Sequence, residues 1–412
     1  MGVLKKIICE IPLGLNEFNL IDVNTNSATM SFSFHVKTIS GTYYLIYSCV
    51  LEKNKTFVDD EESNSAFIKS EKIKFKPIND NGSDTKNLST LIDIDSSSSI
   101  GKDMLKPTSY YSKLMSNSSF FDLAVRLSIE SRATHQSCIF NHDFLKALFD
   151  NKDFDEIYKE LLYQIKMFGV ANLFVIDQVN NNNVSLNLGY RQIKGQKAYI
   201  SMGIININTV SRLCEDEFLH YENSINEANR VLQKLVPDIS ISALKLRDTL
   251  MANGDKGVEF ILVSHRKENN KDIVIPFSSE SNGIRSIFSS LSLVVAAYNN
   301  PSVCIAIDEF DAGVFEHLLG LIVKVYSESG KGLFIFTSHN LRPLEVLNPT
   351  NIYFTTKEDN LFEHTTYVRK ELKKRNAYLR LMSISDDNSI YLTDNAKENE
   401  LRSAFRGTSK NE

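Results

Sequence analysis

Between residues 28 and 37 apolar and polar residues alternate, with Met30, Phe32, Phe34 and Val36 on one side. A period of two puts that side on one face of a half-buried strand. Ser40-Gly41 predicts a turn, and Thr42 to Leu51, rich in Tyr and β-branched residues, predicts a second strand. Ile73 and Phe75, with Phe67, predict a third, short one. Residues 1–78 therefore read as β-rich. The pattern then breaks. Residues 79–107 are dense in Asn, Asp and Ser, a composition that buries little surface and reads as a loop or linker. A short apolar stretch from Leu88 to Ile94 interrupts it.

From 108 to 250 the spacing changes to that of helices. Phe121, Leu123, Ala124, Leu127 and Ile129 recur at helical intervals, and Ile157, Leu161, Leu162 and Ile165 form an apolar side opposite charged residues. Asp143 to Phe149 predicts a further helix, Val170 to Val179 a strand, Asn180 to Asn183 a turn, and Ser211 to Leu235 a long helix stopped near Pro237. Heptads are not sustained, so this block is mainly helical but not a coiled-coil arm.

Residues 251–370 alternate strand and helix. Val258 to His265 predicts a strand, Lys267 to Lys271 a charged turn, and Ile273 to Phe277 an approach to Ser281-Asn282-Gly283. Ile284 to Tyr298 is apolar nearly all round, the mark of a helix buried on several sides, and Asn299-Asn300-Pro301 ends it. Val303 to Ile307 is a wholly apolar strand, as expected at the centre of a parallel sheet, and Leu333 to Thr337 predicts a second buried strand. Ile352 to Thr356 adds another, and 371–412 is a charged tail.

The candidate chemistry sits where these elements end. Ser281 or Asn282 can cap the first turn of the buried helix. Gly283 would let a ligand approach the backbone, and the helix start offers N–H groups to an anion. A plain N-cap before a core helix is the other reading. Arg285 would face a phosphate or pair with an acid. Asp308 and Glu309 stand side by side at the end of the first apolar strand, where oxygen ligands suit Mg²⁺, often through water. Two solvated acids at a strand terminus are the alternative. Asp311 can cap a helix over Ala312 to Ser327. A lone histidine such as His339 is usually structural. Lys370, Lys373, Lys374 and Arg375 make a small basic cluster, more often a solvated face than a nucleic-acid site.

The order of these features resembles the second half of an ABC-type ATPase head of the RecF/SMC-like branch, which includes bacterial AAA-type ATP-binding proteins linked to DNA repair or phage defence. Glu280-Ser281-Asn282-Gly283 resembles the signature loop. Cys304 to Glu309, with Asp308 lying 25 residues after Gly283, resembles Walker B with its catalytic glutamate. Phe310-Asp311-Ala312 stands where the D-loop follows, and Ser338-His339 resembles the switch histidine. The resemblance implies an α/β, P-loop NTPase head with an antiparallel β layer over 1–78, a linker over 79–107 and a helical insertion over 108–250. The second part of the head would occupy 251–370. It also implies ATP and Mg²⁺ as ligands. Asp308 would hold the metal and Glu309 the attacking water. His339 would touch the γ-phosphate, and Ser281, Asn282, Gly283 and Asp311 would face the nucleotide of an opposite subunit in a homodimer, with DNA as a further partner.

One motif is absent. A P-loop needs Gly, four residues, then Gly-Lys-Ser/Thr, so that backbone N–H groups cradle phosphates, and no such run occurs. Ser96 to Asp103 ends in Gly101-Lys102 but has Ser96 and Asp103 at the diagnostic positions, and reads as a Ser-rich loop. The family's Walker A part lies near the amino terminus, so the chain is expected to begin after it. The missing strand, loop and helix would take roughly thirty residues. A second function therefore stands beside the first: a truncated or degenerate ATPase that acts as a non-catalytic binding or regulatory partner of an intact head. A nuclease fits less well, since no second carboxylate cluster offers a two-metal site.

Composition narrows the setting. A length of 412 residues is ample for two or three structural units. A net charge of −5 gives no global attraction to nucleic acid, although a local patch still can. Five cysteines, widely spaced and odd in number, form no zinc pattern and read as reduced thiols. No apolar run reaches the ~18 residues of a membrane span, and the apolar start is too short for a signal peptide. The expected location is the cytoplasm.

Overall fold

The computed structural model describes residues 1–58, 61–78, 87–95, 104–176, 182–192, 199–268, 271–355 and 362–364. The chain opens with α1 (Gly2–Ile8) and α2 (Leu15–Asn19). It then builds an antiparallel sheet from β1 (Ser27–Thr38), β2 (Gly41–Val58), β3 (Glu61–Ile78), β4 (Ser89–Asp95) and β5 (Leu105–Lys106), paired in that order. In β1 the expected alternation holds: Met30, Phe32 and Phe34 are half-buried, Val36 is buried, and the residues between them are exposed. Thr38 pairs with Gly41, so Ile39-Ser40 is the turn, and Gly41 takes a φ of +144° that side chains rarely adopt.

Two expectations change here. The third strand is not short, since β3 runs for 18 residues. The apolar interruption of the linker is a strand, β4, with Leu91, Ile92 and Ile94 buried against the sheet. Its polar flanks hid it, because seven residues among Asn, Asp and Ser look like loop until a partner strand is known. Ser96 to Asp103 lies outside the described residues.

Helices α3 (Thr108–Met115), α4 (Ser118–Thr134), α5 (His142–Asp150) and α6 (Glu156–Met167) follow. Asn117, Asn141 and Asp155 cap the last three by accepting first-turn N–H groups, those of Phe120, Phe144 and Ile157 among them. Their apolar sides close a core with α1 and the five-stranded sheet that includes Leu4, Tyr47, Phe140, Phe144 and Leu161.

The mainly helical reading of 108–250 ends at Met167. Strands β6 (Leu173–Ile176), β7 (Asn183–Gln192), β8 (Tyr199–Asn206), β9 (Ser211–Cys214) and β10 (Ile239–Leu250) fill the remainder, with one long helix, α7 (Glu215–Leu235). The helix expected from Ser211 starts four residues later because Ser211–Cys214 pairs antiparallel with β11 (Lys256–Glu268). β11 lies between β10 and β12 (Lys271–Pro276). Part of the Asn180 to Asn183 turn lies outside the described residues.

The last elements are α8 (Asn282–Asn299), β13 (Cys304–Ile307), α9 (Glu316–Ser329), β14 (Leu333–Phe336), α10 (Arg342–Val346), β15 (Tyr353–Thr355) and β16 (Phe362–His364). β13 pairs in parallel with β6 on one side and β14 on the other. Alternate residues of this small sheet face opposite ways. Phe174, Ile305 and Ile307 join a second core with α7, α8 and α9, and Phe334 packs on Tyr326 of α9 at 5.0 Å between ring centres. Leu173 and Cys304, on the other face, belong to the first core. The two cores therefore meet across β6 and β13. On that same face Leu333 and Ile335 of β14 are 54% and 40% exposed. The strand expected to be buried is covered on one face only, and among the described residues it forms an edge of its sheet. The charged tail 371–412, and the cluster from Lys370 to Arg375, lie outside the described residues.

Candidate functional site

β13 carries no polar side chain until Asp308, whose N–H still donates to Ile176 O at 2.9 Å. The next residue leaves the strand. Glu309 has a φ of +51°, a left-handed conformation that costs a non-glycine residue about 1–3 kcal/mol unless its surroundings enforce it. They do. Glu309 N–H donates to Thr337 Oγ1 at 2.8 Å, and Phe310 N–H donates to Thr337 O at 3.1 Å. Phe310 is buried against Phe334 and Phe336. The Thr337 hydroxyl donates in turn to the Asp308 carboxylate. Asp308 is exposed and Glu309 half-buried; among the described residues the Glu309 carboxylate has no hydrogen bond or ion pair.

Asp311 is not the helix cap that the sequence offered as one of its two roles. Helix α9 starts only at Glu316, after an N-cap residue, Phe315, without a side-chain cap, so Asp311 caps no helix. Its carboxylate accepts the N–H groups of His339 and Asn340 at 3.1 and 2.9 Å, tying the loop after β13 to the loop after β14 within one chain. The His339 side chain is exposed on that second loop.

Ser281 caps α8 as expected, accepting the Ile284 N–H at 3.4 Å. Behind it the Glu280 carboxylate is buried and held twofold by the Arg266 guanidinium, with the Ser264 hydroxyl donating at 2.6 Å. Burial pushes the Glu280 carboxyl up, but the Arg266 and Ser264 bonds more than offset this and hold it below the usual carboxylate range. Gly283 is required by the neighbouring loop: a Cβ there would stand 2.8 Å from Gly313 O. Gly313 has a φ of +74°, and Ser286 Oγ donates to Ala312 O at 2.7 Å. Arg285 donates to Asn282 Oδ1, while its buried Nε has no partner among the described residues. An open pocket of 660 Å³ lies between the start of α8 and the 313–318 segment, lined by Ser281, Gly283, Ile284, Gly313, Phe315 and Leu318. Phe315 is 68% exposed.

The fold thus gathers Asp308, Glu309, Asp311 and His339 at the carboxyl ends of β13 and β14, and joins Ser281 to Gly283 to them through residues 312–313. Thr337, Ser264 and Arg266 are the participants that sequence reasoning missed. A threonine one residue past an apolar strand is a faint signal, and only the parallel register sets it beside the acids.

Among the described residues no three His, Cys, Asp or Glu side chains are grouped closely enough to hold a metal ion by themselves. The donor set, one exposed carboxylate with a hydroxyl beside it, fits Mg²⁺ that keeps several waters and takes its remaining oxygens from a phosphate. It does not fit a metal held by protein alone. The fit to a triphosphate is incomplete, since the sequence has no Gly-rich cradle.

No protein-family model matches the sequence, and no curated protein matches it. Among solved structures the chain is similar to an Smc head bound to the C-winged helix domain of ScpA, with 10% identity over 73% of this chain and 68% of that one, at a TM-score of 0.24. It is also similar to the Smc head domain with an extended coiled coil bound to the C-terminal domain of ScpA derived from Pyrococcus furiosus, with 10% identity over 72% and 71% and a TM-score of 0.23. Among the described residues no helix is long and apolar enough to cross a membrane. Likenesses this loose neither give the chain a family nor assign it an activity.

Proposed function

We propose that the chain forms the larger part of an ABC-type ATPase head. Asp308 would hold the magnesium ion, and Glu309 would orient or deprotonate the attacking water. The observation that carries this reading is the acid pair closing β13, with the second acid turned out of the strand by a left-handed backbone and its carboxylate without a partner among the described residues. Storing strain at such a residue is common at functional sites. Mg²⁺ would supply charge stabilisation at the phosphate. His339 would meet the γ-phosphate from the loop that Asp311 fixes. Ser281, Asn282 and Gly283 would offer a helix start to the nucleotide of a second copy in a head-to-head dimer. By the resemblance in its motifs, hydrolysis would open and close that dimer in a DNA-linked role, repair or phage defence. The Glu309→Gln variant tests the base: Mg²⁺-dependent ATP turnover should fall by about 100-fold or more with nucleotide binding retained. Unchanged turnover would remove Glu309 from that role.

A second reading is favoured by the missing phosphate cradle and by the face of β14 on which Leu333 and Ile335 are exposed. The chain would then hold no nucleotide alone and would act as a non-catalytic or regulatory partner of an intact head. Nucleotide binding measured with and without such a head separates the two: binding by the chain alone supports the first, binding only in the mixture the second.

A further inference from the structure

We infer that Thr337 is the positioning residue of this centre, one hydroxyl that sets both acids at once. The inference rests on the ATPase reading for its catalytic meaning, while its geometry stands by itself. Thr337 makes four bonds to the end of β13 and the turn that follows it. Its N–H donates to Ile307 O and its carbonyl accepts from Phe310 N–H, each at 3.1 Å. These two bonds would survive any side chain. The hydroxyl adds two that only Ser or Thr can make together, accepting the Glu309 N–H at 2.8 Å and donating to the Asp308 carboxylate. A hydroxyl has one proton to give and lone pairs to accept with, so both roles are filled without conflict. The methyl group of a threonine also restricts its χ1, which keeps the oxygen aimed at the turn.

The consequence is a division of labour. The Asp308 carboxylate has one oxygen engaged by Thr337, which fixes its orientation and leaves the rest of the group, in an exposed residue, for a metal. Glu309 is held through its backbone, so its carboxylate is placed without being occupied by any described residue. A hydroxyl that bonded the Glu309 carboxylate directly would have consumed the group the chemistry needs. Removing the hydroxyl leaves the Glu309 N–H without its acceptor and the left-handed turn without its side-chain clasp.

The test compares wild type with Thr337→Val, which keeps the shape and loses the hydroxyl, and with Thr337→Ser, which keeps the hydroxyl. Amide hydrogen exchange of Glu309 should quicken by about tenfold or more in Thr337→Val and return to the wild-type rate in Thr337→Ser. In turnover, Thr337→Val should lower kcat by about tenfold or more with KM for ATP nearly unchanged, and Thr337→Ser should restore it. Equal exchange and equal kcat in wild type and Thr337→Val would overturn the inference. If wild type shows no turnover that Glu309→Gln alters, the ATPase reading fails instead, and the exchange rates alone decide whether Thr337 holds the turn.

Discussion

The Asp311 carboxylate accepts the backbone N–H of Asn340 at 2.9 Å. With the matching bond to His339 N–H, it joins the loop after β13 to the loop after β14. The histidine is therefore placed by its own chain's acid, whatever a second subunit contributes. In Asp311→Ala two N–H groups lose a charged acceptor, which should cost about 1.5–3 kcal/mol for the stronger bond. Amide exchange at His339 and Asn340 should quicken while exchange within α8 stays unchanged. Unaltered exchange at both amides would show that the bonds do not hold the loop.

Gly283 and Gly313 meet across the same turn. A Cβ on residue 283 falls 2.8 Å from Gly313 O, a backbone atom that cannot rotate away. Gly283→Ala should therefore destabilise the chain by about 1–3 kcal/mol in urea unfolding, through overpacking. It should do so in the absence of any nucleotide, which separates a packing role from a ligand-approach role.

Glu280 gives the helix start a pH dependence. Its carboxyl is held below the ordinary range by Arg266 and Ser264 in spite of burial. A lowered carboxyl pKa contributes stability above the unfolded value, about 4.3, that is lost as pH falls through the folded one. Wild type should exceed Glu280→Gln in stability at about pH 6, and the gap should narrow as pH falls below about 4. A gap that stays constant across that range would contradict the assignment.

Glu71 ties the first core together. Burial pushes its carboxyl pKa up, and four donors act against this: the Tyr47 and Ser137 hydroxyls at 2.8 and 2.6 Å, and the Cys138 and Ile139 N–H groups at 2.8 and 3.3 Å. Glu71→Ala strands buried donors and should cost about 3 kcal/mol or more, read from the urea midpoint. A loss within about 0.5 kcal/mol, the range of an ordinary surface substitution, would mean that water replaces the carboxylate.

The sequence made some of this legible and concealed the rest for physical reasons. β1 and β13 announce themselves, one by alternation and the other by an unbroken apolar run, and Ser281 by its capping chemistry. β6 lies inside the strand expected over Val170 to Val179, although its partner β13, some 130 positions away, cannot be read from the sequence. β4 does not announce itself, because a strand of seven residues among polar neighbours is defined by its pairing. The bracing by Asp311 is hidden as well: a carboxylate beside a strand end can cap, coordinate or brace, and only the approach of residues 339 and 340 reveals those bonds. The exposure of Leu333 and Ile335 is likewise invisible in a run of apolar residues that reads as core.

The most direct measurement is equilibrium binding of a fluorescent ATP analogue to the purified chain, up to millimolar nucleotide, with and without Mg²⁺, in wild type and Asp308→Ala. The account predicts Mg²⁺-dependent binding that Asp308→Ala abolishes. Binding indifferent to both the metal and Asp308, or no binding at all, would contradict it.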